Sequence, residues 1–453
     1  MKKFIEEHEK ESLLILITML AVTRWWIPGV AGFENMYAAS QWALSYDYGL
    51  VRRGLIGTIA ELWMPVVSIE GVHHSASVAL CAFIAMLAAV FYFLLNYKEK
   101  SGKLFRIILF FIAAPATLSL CARDLGRFDL FLIIIVFLSL TILSFKKQLW
   151  LIPVLMTAAM FIHESFLVLY TPTIIAAMVF VYASEKREKK VLAAAFVSAI
   201  SVLAAFFVLF KFGYPKAGYE EFSRLVQSRA AFQMTELSMR ECYYTVKDHL
   251  GLTLPYLRDT GSILNFTGAL VILSPAFLIL LNLWTHALRN CKEYDEVPHP
   301  DPPIQGEGMS PLPLQGGKSE RVPVKTQTLT LRTAAACVLF LLATLSGLML
   351  LPIATDYGRW LSAIIFCNFF SVFFLISRDV IKVEELAEYS GGSFPMLFVL
   401  IVLTYLFFGP LHDWEPYPYQ HNVMYSFLSI TSVLIFDAGF ILRWRDVKKT
   451  ELK

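Results

Sequence analysis

The sequence predicts an all-α, polytopic integral membrane protein with about 12 transmembrane helices, and three observations support this fold class. Hydrophobic residues make up 57% of the 453 residues and charged residues only 17%, which is too little charge for the surface of a soluble protein. The mean hydropathy is +0.60. Apolar runs of about 17 to 22 residues recur along the chain, and such runs cross a bilayer as helices, whereas a transmembrane β-barrel would show short alternating segments.

The predicted spans follow the apolar runs in chain order. They are 13–31, 76–95, 105–121, 129–145, 149–162, 166–183, 191–210, 263–284, 332–352, 360–377, 394–410 and 424–442. With the N-terminus inside, the cytoplasmic segments hold 26 of the 39 lysines and arginines, as the positive-inside rule requires. The sequence therefore predicts that both termini are cytoplasmic, with span 13–31 retained as a first helix. Short loops and the lack of an organelle signal favour a bacterial inner (plasma) membrane.

Two loops on the predicted outer side are long, at 32–75 and 211–262. The first has apolar residues at helical spacing with polar residues between them, which predicts helices lying on the membrane surface. The cytoplasmic stretch 292–328 is rich in Pro and Gly, which is typical of a disordered linker. It would separate an N-terminal membrane part of about 8 spans (1–291) from a C-terminal part of about 4 spans (329–453).

Rare charges collect where the predicted spans meet the outer side. Two segments share the pattern D-x-G-R-aromatic, at 124–128 and 356–360, and Asp47-Tyr48-Gly49 shares its beginning. Each motif alone is as well explained by Asp–Arg pairing at a short turn. Because ionisable groups at membrane depth are costly, we interpret them together as one polar cavity. Its predicted supporting residues are Asp124, Asp129, His163, Glu164, Asp356, Tyr48 and Tyr357.

No metal site or other cofactor is predicted. The six cysteines are scattered, and no second His or Cys stands at ligand spacing from His163, as a zinc site would need. A divalent cation bound by carboxylates stays an open alternative. The last predicted outer loop, 411–422, combines aromatic residues with carboxylates, and both a sugar-binding face and an aromatic belt at the interface fit that composition.

One stretch resembles a known family. Glu34-Asn35-Met36-Tyr37, followed by AASQWALSYDYG, is similar to the first outer loop of the membrane-embedded GT-C glycosyltransferases, which use polyprenyl-phosphate sugars. That loop carries an acidic pair after the first span, then an aromatic residue and an amphipathic helix. The acidic pair of the family is Glu34-Asn35 here, so both Glu34 and Asp47 are candidates for the working carboxylate.

The resemblance implies an inverting sugar transfer in cell-envelope glycan synthesis. A carboxylate, Asp47 or Glu34, would deprotonate an acceptor hydroxyl. Arginines would bind the departing phosphate of the donor, and the candidates are Arg52, Arg53, Arg127 and Arg359. The implied partners are membrane lipid, a polyprenyl-phosphate-linked sugar, and a glycan or lipid acceptor, with no nucleic acid.

Two other functions stay open. A Wzy-type polysaccharide polymerase would place its site in the loop 211–262, where Arg224, Arg229, Arg240 and Arg258 lie. A transporter of lipid-linked or small-molecule substrate would show spans broken by Gly or Pro with charge near the middle of the bilayer, and duplicated halves. Neither feature stands out in the sequence, because most charges lie at span ends.

Overall fold

The structure is a computed structural model that describes residues 9–26, 36–98, 102–185, 188–245, 248, 260–293, 324–350, 357–385, 394–408 and 423–451. These residues form an all-helical protein. Within the described ranges, β-pairing is limited to two isolated bridges, between Gly49 and Pro215 and between Val67 and Ala230. The predicted linker is mostly outside the described residues, as is the loop 411–422.

The α-helices are numbered here in chain order. They are α1 (Glu9–Trp26), α2 (Met36–Trp42), α3 (Gly54–Ala60), α4 (Ile69–Lys98), α5 (Lys103–Ala113), α6 (Leu118–Arg123), α7 (Asp129–Phe145), α8 (Leu151–Ile162), α9 (Phe166–Leu169), α10 (Thr171–Ser184), α11 (Lys189–Phe212), α12 (Tyr219–Arg229), α13 (Glu236–Tyr243), α14 (Thr260–Glu293), α15 (Val324–Thr344), α16 (Tyr357–Ser377), α17 (Phe394–Phe408) and α18 (Val423–Glu451). Short 3₁₀ helices lie at Tyr46–Tyr48, Ser346–Leu350 and Val383–Glu385.

The helices agree with a membrane-embedded protein. Seven helical segments are long and apolar enough to cross a bilayer, and they are Ile69–Lys98, Lys103–Arg123, Phe166–Ser184, Lys189–Phe212, Thr267–Cys291, Arg332–Leu350 and Gly358–Ser377. Three shorter apolar helices, Asp129–Phe145, Leu151–Ile162 and Met396–Leu406, occupy other predicted spans. The multi-pass helical prediction is therefore confirmed, and the number of twelve crossings stays a prediction.

Helix α16 lies deep in the bundle. Its apolar stretch is 94% buried and that of Lys103–Arg123 is 89% buried, against 28% for those of α4, α11 and α15. Phenylalanines of α16 pack against those of three neighbouring helices, with ring centroids 5.1 Å apart for Phe91–Phe373, 5.3 Å for Phe111–Phe369 and 5.3 Å for Phe137–Phe370. Such pairs add to the area that each ring buries, so α16 has little freedom to shift against α4, α5 and α7.

The two long loops pack on each other, and we call segments 36–67 and 213–245 together the loop cap. The backbone N–H of Val67 donates to the carbonyl of Arg229 (2.7 Å), and that of Lys216 donates to the carbonyl of Tyr48 (2.8 Å). The Arg229 guanidinium, 7% exposed, donates to the carbonyl of Gly57 at 2.6 Å and pairs with Glu61 at 2.7 Å. Arg229 therefore holds the second loop on the first.

At Gly57, the backbone segments of the loop cap lie too close together to leave room for a side chain. A Cβ placed on Gly57 would lie 1.8 Å from the carbonyl oxygen of Leu44 and 2.6 Å from that of Trp42. Backbone atoms cannot yield that much, so glycine is required where α3 crosses the end of α2. Helices were predicted in this loop, and α2 and α3 lie there. Both are seven residues long and largely buried, against α4, α8 and α13.

Candidate functional site

Polar side chains from five separate segments meet where the loop cap packs on the helix ends. We call Arg52, Arg53, Asp129, His163, Glu164, Glu241 and Arg359 the polar cluster. The sequence separations are large, with 112 residues between Arg52 and Glu164, 189 between Arg52 and Glu241, and 230 between Asp129 and Arg359. The cluster sits at the start of α7 and α16 and just after the end of α8, because each of these helices turns at the same end of the bundle.

Arg52 and Arg53 both bind the carboxylate of Glu164. Arg52 donates from Nη1 to Oε1 at 2.9 Å, and Arg53 donates from Nη2 to Oε1 at 2.8 Å and from Nε to Oε2 at 3.3 Å. Neighbouring residues in an extended chain point in opposite directions. Arg53 adopts a left-handed conformation (φ 61°, ψ 15°) just before α3, and this bend lets both guanidinium groups reach one carboxylate. Such a backbone is costly for a bulky residue, so the cluster contains local strain.

Arg52 is also held by the second loop. Its Nη2 donates to the carbonyl of Glu241 at 2.6 Å and to the Glu241 carboxylate at 3.2 Å. The Arg52 side chain is 1% exposed and that of Glu164 12%. Burial raises the pKa of Glu164, but the charges of the arginines outweigh it and hold that pKa well below its ordinary value. Burial alone would lower the pKa of Arg53, but Glu164, Tyr37 and Glu241 together outweigh burial, so the pKa of Arg53 is raised.

His163 is a buried neutral residue between the two ion-paired groups. The backbone N–H of Ser165 donates to its Nδ1 at 3.1 Å, so the neutral ring carries its proton on Nε2. Burial and then the charge of Arg53 lower the pKa of His163 to about 3, although Glu164 and Asp129 oppose this shift. His163 is therefore uncharged at neutral pH and can donate only from Nε2.

Asp129 and Arg359 form the second ion pair of the cluster. Arg359 donates from Nε to Asp129 Oδ2 at 3.0 Å, and its side chain is 9% exposed. Arg127 is also buried, and its guanidinium lies over the ring of Tyr37 at 5.7 Å from the centroid. Trp42 donates to the carbonyl of Gly126 at 2.7 Å. These contacts fix α2 against the D-x-G-R-F turn.

A small cavity lies beside the Asp129–Arg359 pair. Its volume is about 20 Å³, enough for about one water molecule, and its polar lining comes from Cys121, Asp124, Asp129, Tyr170, Arg359 and Ser362. Oδ2 of Asp124 is buried and has no hydrogen-bond partner among the described residues. A buried carboxylate oxygen without a partner is uncommon and calls for an explanation. The arrangement provides a carboxylate oxygen and an arginine in one cavity.

The structure brings together many of the predicted site residues, but not all. Arg52, Arg53, Asp129, His163, Glu164 and Arg359 belong to the polar cluster, while Asp124 and Arg127 lie next to it. Asp47 is exposed on the 3₁₀ helix, where it forms no ion pair within the described part of the chain. Tyr48 packs inside the loop cap against Phe222. Glu34 and Asp356 are outside the described residues, and Tyr357 is described only as the first residue of α16.

Sequence reasoning missed two contacts of the site. Glu241 was not selected, although it neighbours Arg240. Tyr37 was noted as part of a motif but not as the ring that contacts Arg127. No spacing rule connects Glu241 with Arg52, because their contact depends on how the two loops dock. In the described ranges, no group of three or more His, Cys, Asp or Glu is placed to hold a metal ion.

A second, larger cavity of about 640 Å³ lies at the other end of α7 and α16. It is lined mainly by apolar residues, with Lys146, Glu185 and Arg378 at one end. The apolar lining includes Phe93, Phe137, Phe145, Phe370, Phe373 and Phe374. Phe366 is 1% exposed and packs on Phe83 and Phe370. This packing lies between the large cavity and the small one. The large cavity is apolar enough for hydrocarbon chains.

Comparisons with protein-family models, with curated proteins and with solved structures each give no match to this chain.

Proposed function

We propose that this protein is a membrane glycosyltransferase that moves a sugar from a polyprenyl-phosphate donor to a glycan or lipid acceptor. The observation that carries the proposal is the polar cluster with its adjoining cavity. Four arginines, Arg52, Arg53, Arg127 and Arg359, lie at the ends of apolar helices together with three carboxylates of the cluster. A phosphate attached to a membrane-dissolved chain meets the protein at such a depth, and arginine forks match phosphate oxygens.

The proposed chemistry needs a base and an anion site within reach of each other. Arg359 would stabilise the charge that develops on the departing phosphate. Asp124 lines the same cavity as Arg359, and its buried Oδ2 could accept the proton of the acceptor hydroxyl. This geometry adds Asp124 to the sequence-based candidates Asp47 and Glu34.

Donor binding would require movement at the cavity. A volume of about 20 Å³ holds neither a phosphate nor a sugar. Arg359 is paired with Asp129, so a phosphate would have to compete with that carboxylate or share the guanidinium. Closure on the bound donor would then exclude water, which prevents hydrolysis.

The decisive experiment measures transfer by the full-length protein in lipid vesicles. A panel of radiolabelled polyprenyl-phosphate hexoses and pentoses is supplied with a lipid and glycan extract as acceptor, and both released polyprenyl phosphate and labelled product are measured. Asp124→Asn is expected to reduce turnover by about 10²- to 10⁴-fold if Asp124 is the base. Arg359→Gln is expected to reduce it by about 10²-fold or more, as loss of a charge-stabilising donor does.

Arg240→Gln is the matched control, because Arg240 is exposed and forms its ion pair with Glu236 one turn away. Its activity should equal that of the unaltered protein. The glycosyltransferase proposal would be refuted if the unaltered protein transferred sugar from none of the donors. Full activity of Asp124→Asn would refute the assignment of the base alone, and loss in Arg240→Gln alone would favour the polymerase.

A transporter is kept as a second candidate on one specific observation. α14 contains Pro275, and the carboxylate of Asp437 on α18 reaches the neighbouring Ser274. A proline-broken span with an ionisable contact inside the helical bundle is the pattern expected of transporters. Vesicle uptake without sugar transfer would favour this candidate.

A further inference from the structure

Asp437 lies in a stretch of α18 with no other charged residue between Val423 and Leu442, and it is not part of the polar cluster. It lies 14 residues after the start of α18, and its contact Ser274 lies 14 residues after the start of α14. Each residue is therefore roughly 21 Å along its helix. Carboxylates in such surroundings are rare and are functional candidates by default.

The hydrogen bonds of Ser274 determine where the protons are. Its Oγ lies 2.7 Å from the carbonyl oxygen of Val271 and 2.5 Å from Oδ2 of Asp437. A serine hydroxyl has a single proton to donate, and a carbonyl oxygen can only accept. When Asp437 is protonated, both contacts are two-centre hydrogen bonds, with Ser274 donating to Val271 and receiving the proton of Asp437. An ionised Asp437 would leave two acceptors to share the single serine proton.

The proline explains why Val271 takes the serine proton. In a regular helix the carbonyl of Val271 would accept from the N–H of residue 275, but Pro275 has none. Ser274 supplies the missing donor. The next carbonyl, that of Ile272, accepts from the hydroxyl of Tyr405 on α17 at 2.7 Å. The carbonyls of Val271 and Ile272 beside the proline of α14 therefore accept hydrogen bonds from side chains of two helices, α14 and α17.

The second oxygen of Asp437 also favours the neutral acid. Oδ1 is buried and has no hydrogen-bond partner among the described residues. Asp124 shares its cavity with Arg359, but within the described ranges Asp437 has no such cation beside it, and a charged carboxylate with a buried unpaired oxygen would be strongly disfavoured there. The helices packed on α18 are α17 and α14. The titratable group that faces Asp437 from α17 is Tyr405. On α14, His286 lies 12 residues beyond Ser274, and on α18 itself Arg443 lies six residues beyond Asp437. None of them forms an ion pair with Asp437 in the described part of the chain.

We infer that Asp437 is a proton-binding site, occupied at neutral pH, whose proton joins α18 to the proline break of α14. The ligand is H⁺, and the bound form is a carboxylic acid that donates to Ser274. Loss of the proton would turn the hydroxyl of Ser274 toward the carboxylate, and the carbonyl of Val271 would lose its donor at the proline. This site is independent of the proposed sugar transfer.

The test uses the full-length protein in lipid and a membrane-soluble carbodiimide, dicyclohexylcarbodiimide. A protonated carboxyl adds across the carbodiimide: its proton goes to one nitrogen, its oxygen bonds to the central carbon, and the O-acylisourea rearranges to a stable N-acylurea without a leaving group. Peptide mass spectrometry at pH 7 measures the adduct. Asp379 is the control, because its side chain is 60% exposed and it pairs with Lys98 at 2.6 Å. An exposed aspartate is protonated in about one molecule per thousand at pH 7.

Labelling of Asp437 should exceed that of Asp379 by at least about a hundredfold, and it should fall in strongly alkaline buffer. Infrared difference spectra between the unaltered protein and Asp437→Asn should show the carbonyl band of a protonated carboxyl at pH 7, and Asp379→Asn should remove no such band. The amide of Asn can donate to Ser274 as the acid does, so Asp437→Asn should keep its stability. Equal labelling of both aspartates, or the lack of the infrared band in the unaltered protein, would overturn the proposal. The labelling needs no variant.

Discussion

Replacing Glu164 by glutamine removes the charge that pairs with Arg52 and Arg53. Glu164 accepts from Arg52 at 2.9 Å and from Arg53 at 2.8 Å and 3.3 Å, and it is 12% exposed. Removing one partner of a buried ion pair costs about 3–5 kcal/mol. Arg52 keeps Glu241, so we expect the lower end, a loss of about 3 kcal/mol in the free energy of unfolding.

The assay is denaturation of the purified protein in mixed micelles, followed by tryptophan fluorescence, for Glu164→Gln, Arg53→Gln and the double variant. The double variant should be less destabilised than the sum of the single ones, with a coupling of about 2 kcal/mol or more, because it leaves no unpaired charge at Arg53. Glu236→Gln is the control, since its pair with Arg240 has a similar distance of 2.9 Å but is exposed, and it should show no measurable change. A loss below about 1 kcal/mol for Glu164→Gln, or strictly additive effects, would refute the reasoning.

Three further outcomes are expected. The pKa of His163 is about 3 in the folded protein, against an ordinary value near 6.5. Between about pH 3 and pH 6.5, therefore, only the unfolded chain binds a proton at this residue. The free energy of unfolding should fall as the pH drops below about 6.5, by up to about 1.4 kcal/mol per pH unit. Denaturation of His163→Gln at pH 5 to 7.5 should lack this part of the slope, and an unchanged slope would contradict the assignment. Gly57→Ala should abolish the folded protein in size-exclusion chromatography, whereas Gly218→Ala, which meets nothing within 4 Å, should not. Arg229→Lys, which cannot reproduce the contacts to Gly57 and Glu61, should expose the loop cap to faster cleavage in limited proteolysis; an unaltered cleavage rate would show that Arg229 is dispensable there.

The helical plan could be predicted because lipid leaves the backbone few choices. An apolar run in a bilayer has to satisfy its own hydrogen bonds, so α4, α11 and α16 follow from composition alone. The region around His163 is a more specific example of a helical arrangement that could be predicted. Basic residues on both flanks required two crossings, and the structure places a helix on either side of His163, α8 before it and α9 with α10 after it.

The site could be predicted in part for a related reason. Charges that are costly in lipid collect at helix ends, which is why Arg53, Asp129 and Glu164 share one region. The choice of partners could not be predicted. Glu241 reaches Arg52 only because the second loop docks through backbone bonds at Val67, and such bonds leave no periodic signal. Asp437 was also overlooked, since one acid in an apolar run does not alter the prediction of a span.

The large sequence separations within the polar cluster constrain how the protein is made. Arg52 leaves the ribosome 112 residues before Glu164 and 189 residues before Glu241, and Arg53 follows it directly. At about 5–20 residues per second, the arginine pair waits roughly 6 to 40 seconds for its carboxylates. During that interval two unpaired guanidinium groups cannot be buried, so the first loop has to stay in contact with water or lipid headgroups until the second loop has been synthesised. Docking of the loop cap is therefore a late step in biogenesis, and a chain truncated before residue 241 would carry the first loop without its last partner.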